Sequence, residues 1–320
     1  MRLLVTGGCG FIGSNFIKYF LEKYPDYNII NLDKLTYAGN LNNLKEIQNN
    51  RKYKFVKGDI CDTDLVEKLI SEGIECIVNF AAESHVDRSI KDASNFIKTN
   101  VFGTYVLLEA SKKYDINKYL QISTDEVYGS REEGSFKEND PLEPNNPYSA
   151  SKAAGDMMVR SFNRTYGLFT LITRSSNNFG PFQYPEKLIP SFIIHLLKNE
   201  KVPLYGDGLN IRDWLYVYDN CEAIDLVLHK GKSGEIYNIG AKNEKTNLEI
   251  AKFILQEMEK PDNFITFVED RLGHDRRYSL DDSKIKELGW TLKSEFYSTL
   301  KKVIKWYKEN EWWWKSLMKY

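Results

Sequence analysis

The sequence predicts an α/β fold, a Rossmann-type doubly wound parallel sheet joined to a smaller C-terminal α/β substrate-binding lobe. Three observations carry this expectation. Short apolar runs alternate with helix-length stretches through the first half, a glycine-rich turn follows the first run at once, and beyond Phe179 the pattern becomes turn-rich. Strands alternating with helices at this spacing form βαβ units, and such units build a parallel sheet.

The predicted strands are Leu3-Leu4-Val5, Ile29 to Leu32, Tyr53 to Val56, Cys76 to Phe80 and Tyr119 to Ser123. Thr170 to Thr173 and Glu235 to Ile239 are expected to return to the same sheet. This divides the chain into a dinucleotide-binding domain over 1–178 and a second, mainly substrate-binding lobe over 179–320. The turns Gly180-Pro181, Tyr205-Gly206-Asp207-Gly208 and Arg271-Leu272-Gly273-His274 mark that lobe as a set of insertions embracing a substrate. Glu311 to Trp314 follows apolar positions Val303, Ile304, Trp306 and Tyr307, and reads as a terminal helix capping the core.

Composition narrows the class. With 320 residues the chain can bury a sizeable core without a disulfide or metal staple. The formal charge of -1 gives no long-range pull toward nucleic acid or an anionic membrane. Cys9, Cys61, Cys76 and Cys221 are far apart in sequence and read as free thiols in a reducing compartment. Four histidines without metal-ligand spacing imply no metal site. The amino terminus is too short before its first strand for a signal peptide, and no apolar run approaches the roughly 20 residues of a membrane span. A soluble cytoplasmic enzyme is expected.

Gly7, Gly10 and Gly13 supply G-x-x-G-x-x-G spacing between the first strand and a helix that opens with Phe11 and Ile12. Glycines there allow a tight turn and close backbone approach to a pyrophosphate at a helix amino terminus. Asp33 closes the second strand twenty residues beyond Gly13, where a carboxylate accepts from ribose hydroxyls and repels a 2′-phosphate. The cofactor expected is NAD. Asp59 and Ile60, after the third strand, are expected beside the adenine.

Tyr148 and Lys152 lie four residues apart, on one face of a helix, so the ammonium is expected to lower the phenol pKa and yield a usable base. Ahead of them stand Thr124, Asp125 and Glu126. Two extra proton-transfer groups exceed what hydride transfer alone requires.

With the segments Thr6 to Ser14, Leu32 to Asn40, Ala81 to Ser89, Ser123 to Gly129, Tyr148 to Lys152, Pro185 to Pro190, Ile211 to Trp214 and Arg271 to Tyr278, essentially the whole chain resembles the dTDP-glucose 4,6-dehydratases of the extended short-chain dehydrogenase superfamily. The resemblance implies a hydro-lyase acting on dTDP-glucose. Oxidation at C4 makes the C5 proton acidic, water leaves across C5 and C6, and hydride returns to C6. Tyr148 would take the C4 hydroxyl proton, Lys152 would hold the phenolate and the nicotinamide ribose, and Thr124 would bond the sugar at C4. Glu126 would take the C5 proton and protonated Asp125 would donate to the departing C6 hydroxyl.

The resemblance also places Lys34, Leu35, Thr36, Ala81, Ala82, Ser84, Thr99 and Asn178 at the cofactor. It lines the sugar-nucleotide cleft with Asn177, Lys187, Leu188, Pro203, Tyr205, Arg212, Asn247, Arg271 and His274, with Ser84 near the sugar. Arg212 and Arg271 are candidates for bidentate phosphate contacts. Helices near Asn95 to Lys113 and Tyr148 to Tyr166 have apolar positions suited to a four-helix bundle, and the resemblance implies a homodimer of that kind. Three other readings stay open: a 4,6-dehydratase of a UDP-, CDP- or GDP-sugar, a nucleotide-sugar 4-epimerase, and a catalytically silent NAD-sensing protein.

Overall fold

The computed structural model describes residues 1–318. In chain order its strands are β1 (Arg2–Thr6), β2 (Asn28–Asp33), β3 (Tyr53–Lys57), β4 (Cys76–Asn79), β5 (Lys118–Thr124), β6 (Thr170–Ser175), β7 (Asn177–Phe179), β8 (Val202–Tyr205), β9 (Ile211–Tyr216), β10 (Ile236–Ile239), β11 (Glu244–Thr246) and β12 (Ile265–Val268). Seven make one sheet in the order β10-β6-β5-β4-β1-β2-β3. Every pairing in it is parallel. The chain runs outward from β1 to β3, then returns to place β4 on the other side of β1. A crevice therefore opens at the carboxyl ends of β1 and β4, where an open α/β sheet takes its ligand.

The sheet is buried on both faces. Leu3 and Val5 of β1 enter one apolar cluster, with Phe16, Ile17 and Phe20 from the helix Phe11–Lys23, while Leu4 enters the other, with Leu69, Leu107 and Val159. Alternation along one strand thus serves two cores. β6 and β10 extend the sheet, as expected from their apolar runs.

Residues after β6 also build two small sheets, β11-β9-β7 and β12-β8. A third core packs there, with Phe192 and Ile193 of the helix Leu188–Leu197, Ile250 and Ile254 of Asn247–Glu257, and Leu300 and Ile304 of Phe296–Glu309. Trp313 and Trp314 are buried in it, and Trp313 Nε1 donates to Asn43 Oδ1 at 2.7 Å, which ties the terminal helix back to the first lobe. Among the described residues no helix is long and apolar enough to cross a membrane.

Two local devices aim residues at the crevice. Asn146 caps the helix Pro147–Tyr166, accepting from the Ser149 N–H at 2.9 Å, and Pro147 presets the first turn. Tyr148 and Lys152 therefore project from its first two turns. The helical run expected near Asn95 to Lys113 contains a π-helical segment, Ile97–Gly103, before it continues as Thr104–Lys113. Asn100 in that segment bonds both the backbone of Glu83 and the Ser151 hydroxyl, so the wide turn is locked to the crevice wall.

Candidate active site

One cleft runs along the carboxyl ends of β1, β2, β4, β5 and β6, from Asp59 at one end to Lys187 at the other. Gly7 begins it. Its φ is +67°, and a Cβ there would lie 2.6 Å from Ala81 Cα. Only glycine lets the β1 and β4 turns approach so closely. A Cβ on Gly13 would meet the Gly7 carbonyl at 2.6 Å, so the first helix turn is pressed onto the same loop. Gly10 caps that helix without a side chain, leaving its first N–H groups turned toward the cleft.

Asp33 ends β2 as a buried carboxylate, accepting from Cys9 N at 2.8 Å and Leu35 N at 2.7 Å. Burial pushes its pKa up, and the two N–H donors oppose this. Lys34 Nζ lies 2.8 Å from Asp59 Oδ2 beyond it. A loop of small residues, an uncapped helix start and an acid at the end of β2 fit a dinucleotide with a free 2′-hydroxyl.

Phe11, Ile12, Thr36, Ile60, Ala81, Ala82, Ser84, Thr99 and Asn178 also line the cleft. Leu35 turns its backbone through φ +56°, gives its N–H to Asp33 and packs its half-buried side chain against the first core.

At the centre, Thr124 ends β5, and a short 3-10 turn carries Asp125 and Glu126. Asp125 is 3% exposed, accepts from Thr124 Oγ1 at 3.1 Å through Oδ1, and has no hydrogen-bond partner for Oδ2. Burial, then the neighbouring Glu126, holds its pKa well above the usual carboxylate range. Glu126 accepts from Ser149 Oγ at 3.2 Å. The two adjacent acids thus stand in different surroundings.

Tyr148 and Lys152 face the same cleft. Burial, then Glu126, pushes the Tyr148 phenol well above its ordinary pKa, while the Thr124 side chain pulls it down. Lys152 Nζ donates to the Ile122 carbonyl at 2.6 Å, and burial lowers its own pKa to about 8, opposed by Asp156.

Asn177 and Lys187 line the sugar end, and Lys187 donates to the Ser84 carbonyl at 2.8 Å. Beyond Lys187 lies a second group. Arg271 Nη1 is 3.9 Å from Asp87 Oδ1, Tyr205 OH is 3.4 Å from Asp87 Oδ2, and His274 Nδ1 is 2.6 Å from Asp270 Oδ1. Burial, then Arg271, lowers His274 to about 4, so it is neutral at pH 7. Arg212 spends donors on the Ile211 and Asp275 carbonyls and stacks 4.2 Å over the Tyr278 ring. Buried Asn247 keeps an unpartnered Oδ1. Leu188 packs on the third core, and Pro203 sits in β8 opposite Thr266.

Sequence reasoning passed over Glu186, Tyr37 and Arg88. Arg88 lies 3.7 Å over the Tyr37 ring and 3.4 Å from Glu186 Oε2, bridging the loop after β2 to the loop before Lys187. Only the placement of Glu186 beside Lys187 in the sequence hinted at it.

The family model described as GDP-mannose 4,6 dehydratase matches residues 4–303. The chain is 52% identical to the low-salt glycan biosynthesis protein Agl12 of Haloferax volcanii, over 96% of this chain and 98% of that one. It is 49% identical to a dTDP-glucose 4,6-dehydratase of Streptomyces niveus, over 99% of this chain and 96% of the relative. The chain belongs to the dTDP-glucose 4,6-dehydratase family. The crystal structure of DesIV, a dTDP-glucose 4,6-dehydratase of Streptomyces venezuelae solved with NAD and TYD bound, superposes with a TM-score of 0.97 at 49% identity, covering 99% of this chain and all of that one. Within this family the glycine loop, Asp33 and the acid pair of the present chain occupy a single cleft.

Proposed function

We propose that the chain is a lyase that converts dTDP-glucose to dTDP-4-keto-6-deoxyglucose with NAD. The observation that carries this reading is the unlike pair Asp125 and Glu126 beside Tyr148. Elimination of water needs one acid that holds a proton and one that is free to take one. Burial raises the pKa of Asp125 and so favours its protonated form, and Oδ2 has no other partner. Glu126 receives a hydroxyl donor from Ser149 instead. A 4-epimerase, which returns hydride to C4, has no use for that split.

NAD held in this cleft would supply the hydride chemistry, storing the C4 hydrogen until its return to C6. Tyr148 would take the C4 hydroxyl proton as its phenolate, the form that the Lys152 ammonium and the positive charge of a bound nicotinamide favour against burial, and Thr124 would orient that oxygen. Glu126 removes the C5 proton, Asp125 protonates the C6 hydroxyl as it leaves as water, and Glu126 returns a proton to C5. Protons balance when the one held by Tyr148 replaces the one lost from Asp125, leaving water as the only other product. Gly7, Gly10, Phe11, Ile12, Gly13, Asp33, Lys34, Leu35, Thr36, Asp59, Ile60, Ala81, Ala82, Ser84, Thr99, Tyr148, Lys152 and Asn178 hold the cofactor. Ser84, Asn177, Lys187, Tyr205, Arg212, Asn247, Arg271 and His274 hold the nucleotide sugar, Leu188 and Pro203 backing its wall. On this reading 1–178 is the cofactor domain and 179–320 mainly the sugar-nucleotide lobe.

The active form is a cytoplasmic homodimer. Ile97, Phe102, Tyr105, Met157 and Tyr166 leave apolar surface exposed on the two helical runs expected to pair. Light scattering that gives the mass of one chain would exclude it.

The reaction is tested by NMR of dTDP-glucose and UDP-glucose incubated with the protein and NAD in deuterated water. A 4-keto-6-deoxy product carrying deuterium at C5, from dTDP-glucose in preference to UDP-glucose, is expected. A C4 epimer would overturn the roles of Asp125 and Glu126.

A further inference from the structure

Ser149 lies in the first turn of the helix carrying Tyr148 and Lys152, and it is fully buried. Its Oγ is 3.2 Å from Glu126 Oε2 and 3.0 Å from Asn146 Oδ1. Both partners accept, because the Asn146 oxygen also receives the Ser149 N–H at 2.9 Å, which assigns the orientation of that amide. A hydroxyl has a single proton to donate. It serves one acceptor at a time.

A charged acceptor wins such a competition and a neutral one does not. We propose that Ser149 is a positioning residue for proton transfer at C5, its hydroxyl proton directed to Glu126 while that carboxylate is charged and turned to Asn146 once Glu126 has taken a proton. The inference rests on the reading of Glu126 as the C5 base. With Oε2 held by Ser149, Oε1 is the oxygen left for the sugar. Rotation about one Cβ–Oγ bond keeps the buried hydroxyl bonded in both states, so neither state has an unsatisfied donor. Asp125 Oδ2, by contrast, has no donor from the protein. The difference between the two acids is thus set by a residue inside the Tyr148 to Lys152 motif itself.

The test compares wild type, Ser149→Ala, Ser149→Thr, Glu126→Gln and the double variant Ser149→Ala/Glu126→Gln in single turnovers with dTDP-glucose and NAD. In Ser149→Ala, elimination and deuterium uptake at C5 are expected to slow by roughly 10- to 100-fold, as for loss of one hydrogen bond to a charged group. C4 oxidation keeps its rate, so the absorbance of reduced nicotinamide builds up, and KM is unchanged. Ser149→Thr restores elimination. The double variant is no slower than Glu126→Gln alone, because Ser149 acts through that carboxylate. Equal slowing of oxidation and elimination, or multiplication of the two defects, would overturn the role of Ser149 and leave the reaction standing. Wild-type protein that forms no 4-keto-6-deoxysugar would overturn the reaction, and the role of Ser149 with it.

Discussion

Replacing Lys152 with methionine is expected to stabilise the fold while removing activity. The ammonium is 5% exposed and burial lowers its pKa from 10.5 to about 8. That depression corresponds to about 3 kcal/mol of folding free energy lost at neutral pH to keep the charge inside. Methionine fills a similar volume without charge, but it leaves the Ile122 carbonyl without its 2.6 Å donor, a cost of about 1 kcal/mol. The net gain at pH 7 is about 2 kcal/mol, or a rise of roughly 4 °C in Tm for a chain of this size. Between pH 8 and 10.5 the unfolded wild-type chain binds more protons at this position than the folded one, so wild-type stability rises with pH through that window. The advantage of Lys152→Met is therefore full below pH 8 and largely gone by pH 10. Thermal denaturation of both proteins, freed of nucleotide, at pH 7 and pH 10 measures this directly. A variant less stable than wild type at pH 7, or one whose gain is the same at both pH values, would refute the assignment of a buried, strained charge.

Asp156→Ala should destabilise by about 3–5 kcal/mol, because it strands Arg174, which is wholly buried 2.9 Å from Asp156; urea unfolding would read this, and a loss under 1 kcal/mol would count against it. Gly7→Ala should abolish NAD retention, since its Cβ would sit 2.6 Å from Ala81 Cα at a φ of +67°, and unchanged NAD affinity by titration calorimetry would contradict the close approach. Asp125→Asn removes the group whose raised pKa keeps a proton available. Turnover should fall by about 10²- to 10⁴-fold, and the loss of rate that wild type shows as rising pH ionises Asp125 should vanish from the pH profile. Asp33→Asn should weaken NAD binding and reduce discrimination against a 2′-phosphate, measured as the ratio of NAD to NADP affinity.

How much was legible in the sequence depends on how far apart the interacting residues stand in it. The seven strands of the main sheet were each marked by their own apolar residues; six are buried and need such a run locally, while the edge strand β3 has no buried residue. The glycine loop and Asp33 were legible because strand, turn and helix are contiguous there, and most residues expected at the cofactor do line one cleft. Thr124 to Glu126 and Tyr148 to Lys152 announced their chemistry by residue type and spacing. The turn of Leu35 that gives its N–H to Asp33 was not legible, since membership in a motif says nothing about which way a side chain turns. The Arg88 link between Tyr37 and Glu186 was invisible because its members come from two loops and a short helix that are far apart in the chain.

Protonation shows the division most clearly. The sequence by itself determined that two adjacent acids stand ahead of a tyrosine and a lysine on one helix face. Only the tertiary structure decided that Asp125 is the acid whose pKa burial raises, that Ser149 supplies a donor to Glu126, and that Lys152 spends its ammonium on the Ile122 carbonyl. The surroundings of a carboxyl or an amine are set by the partners that reach it, and those partners here lie 23 and 30 positions away along the chain.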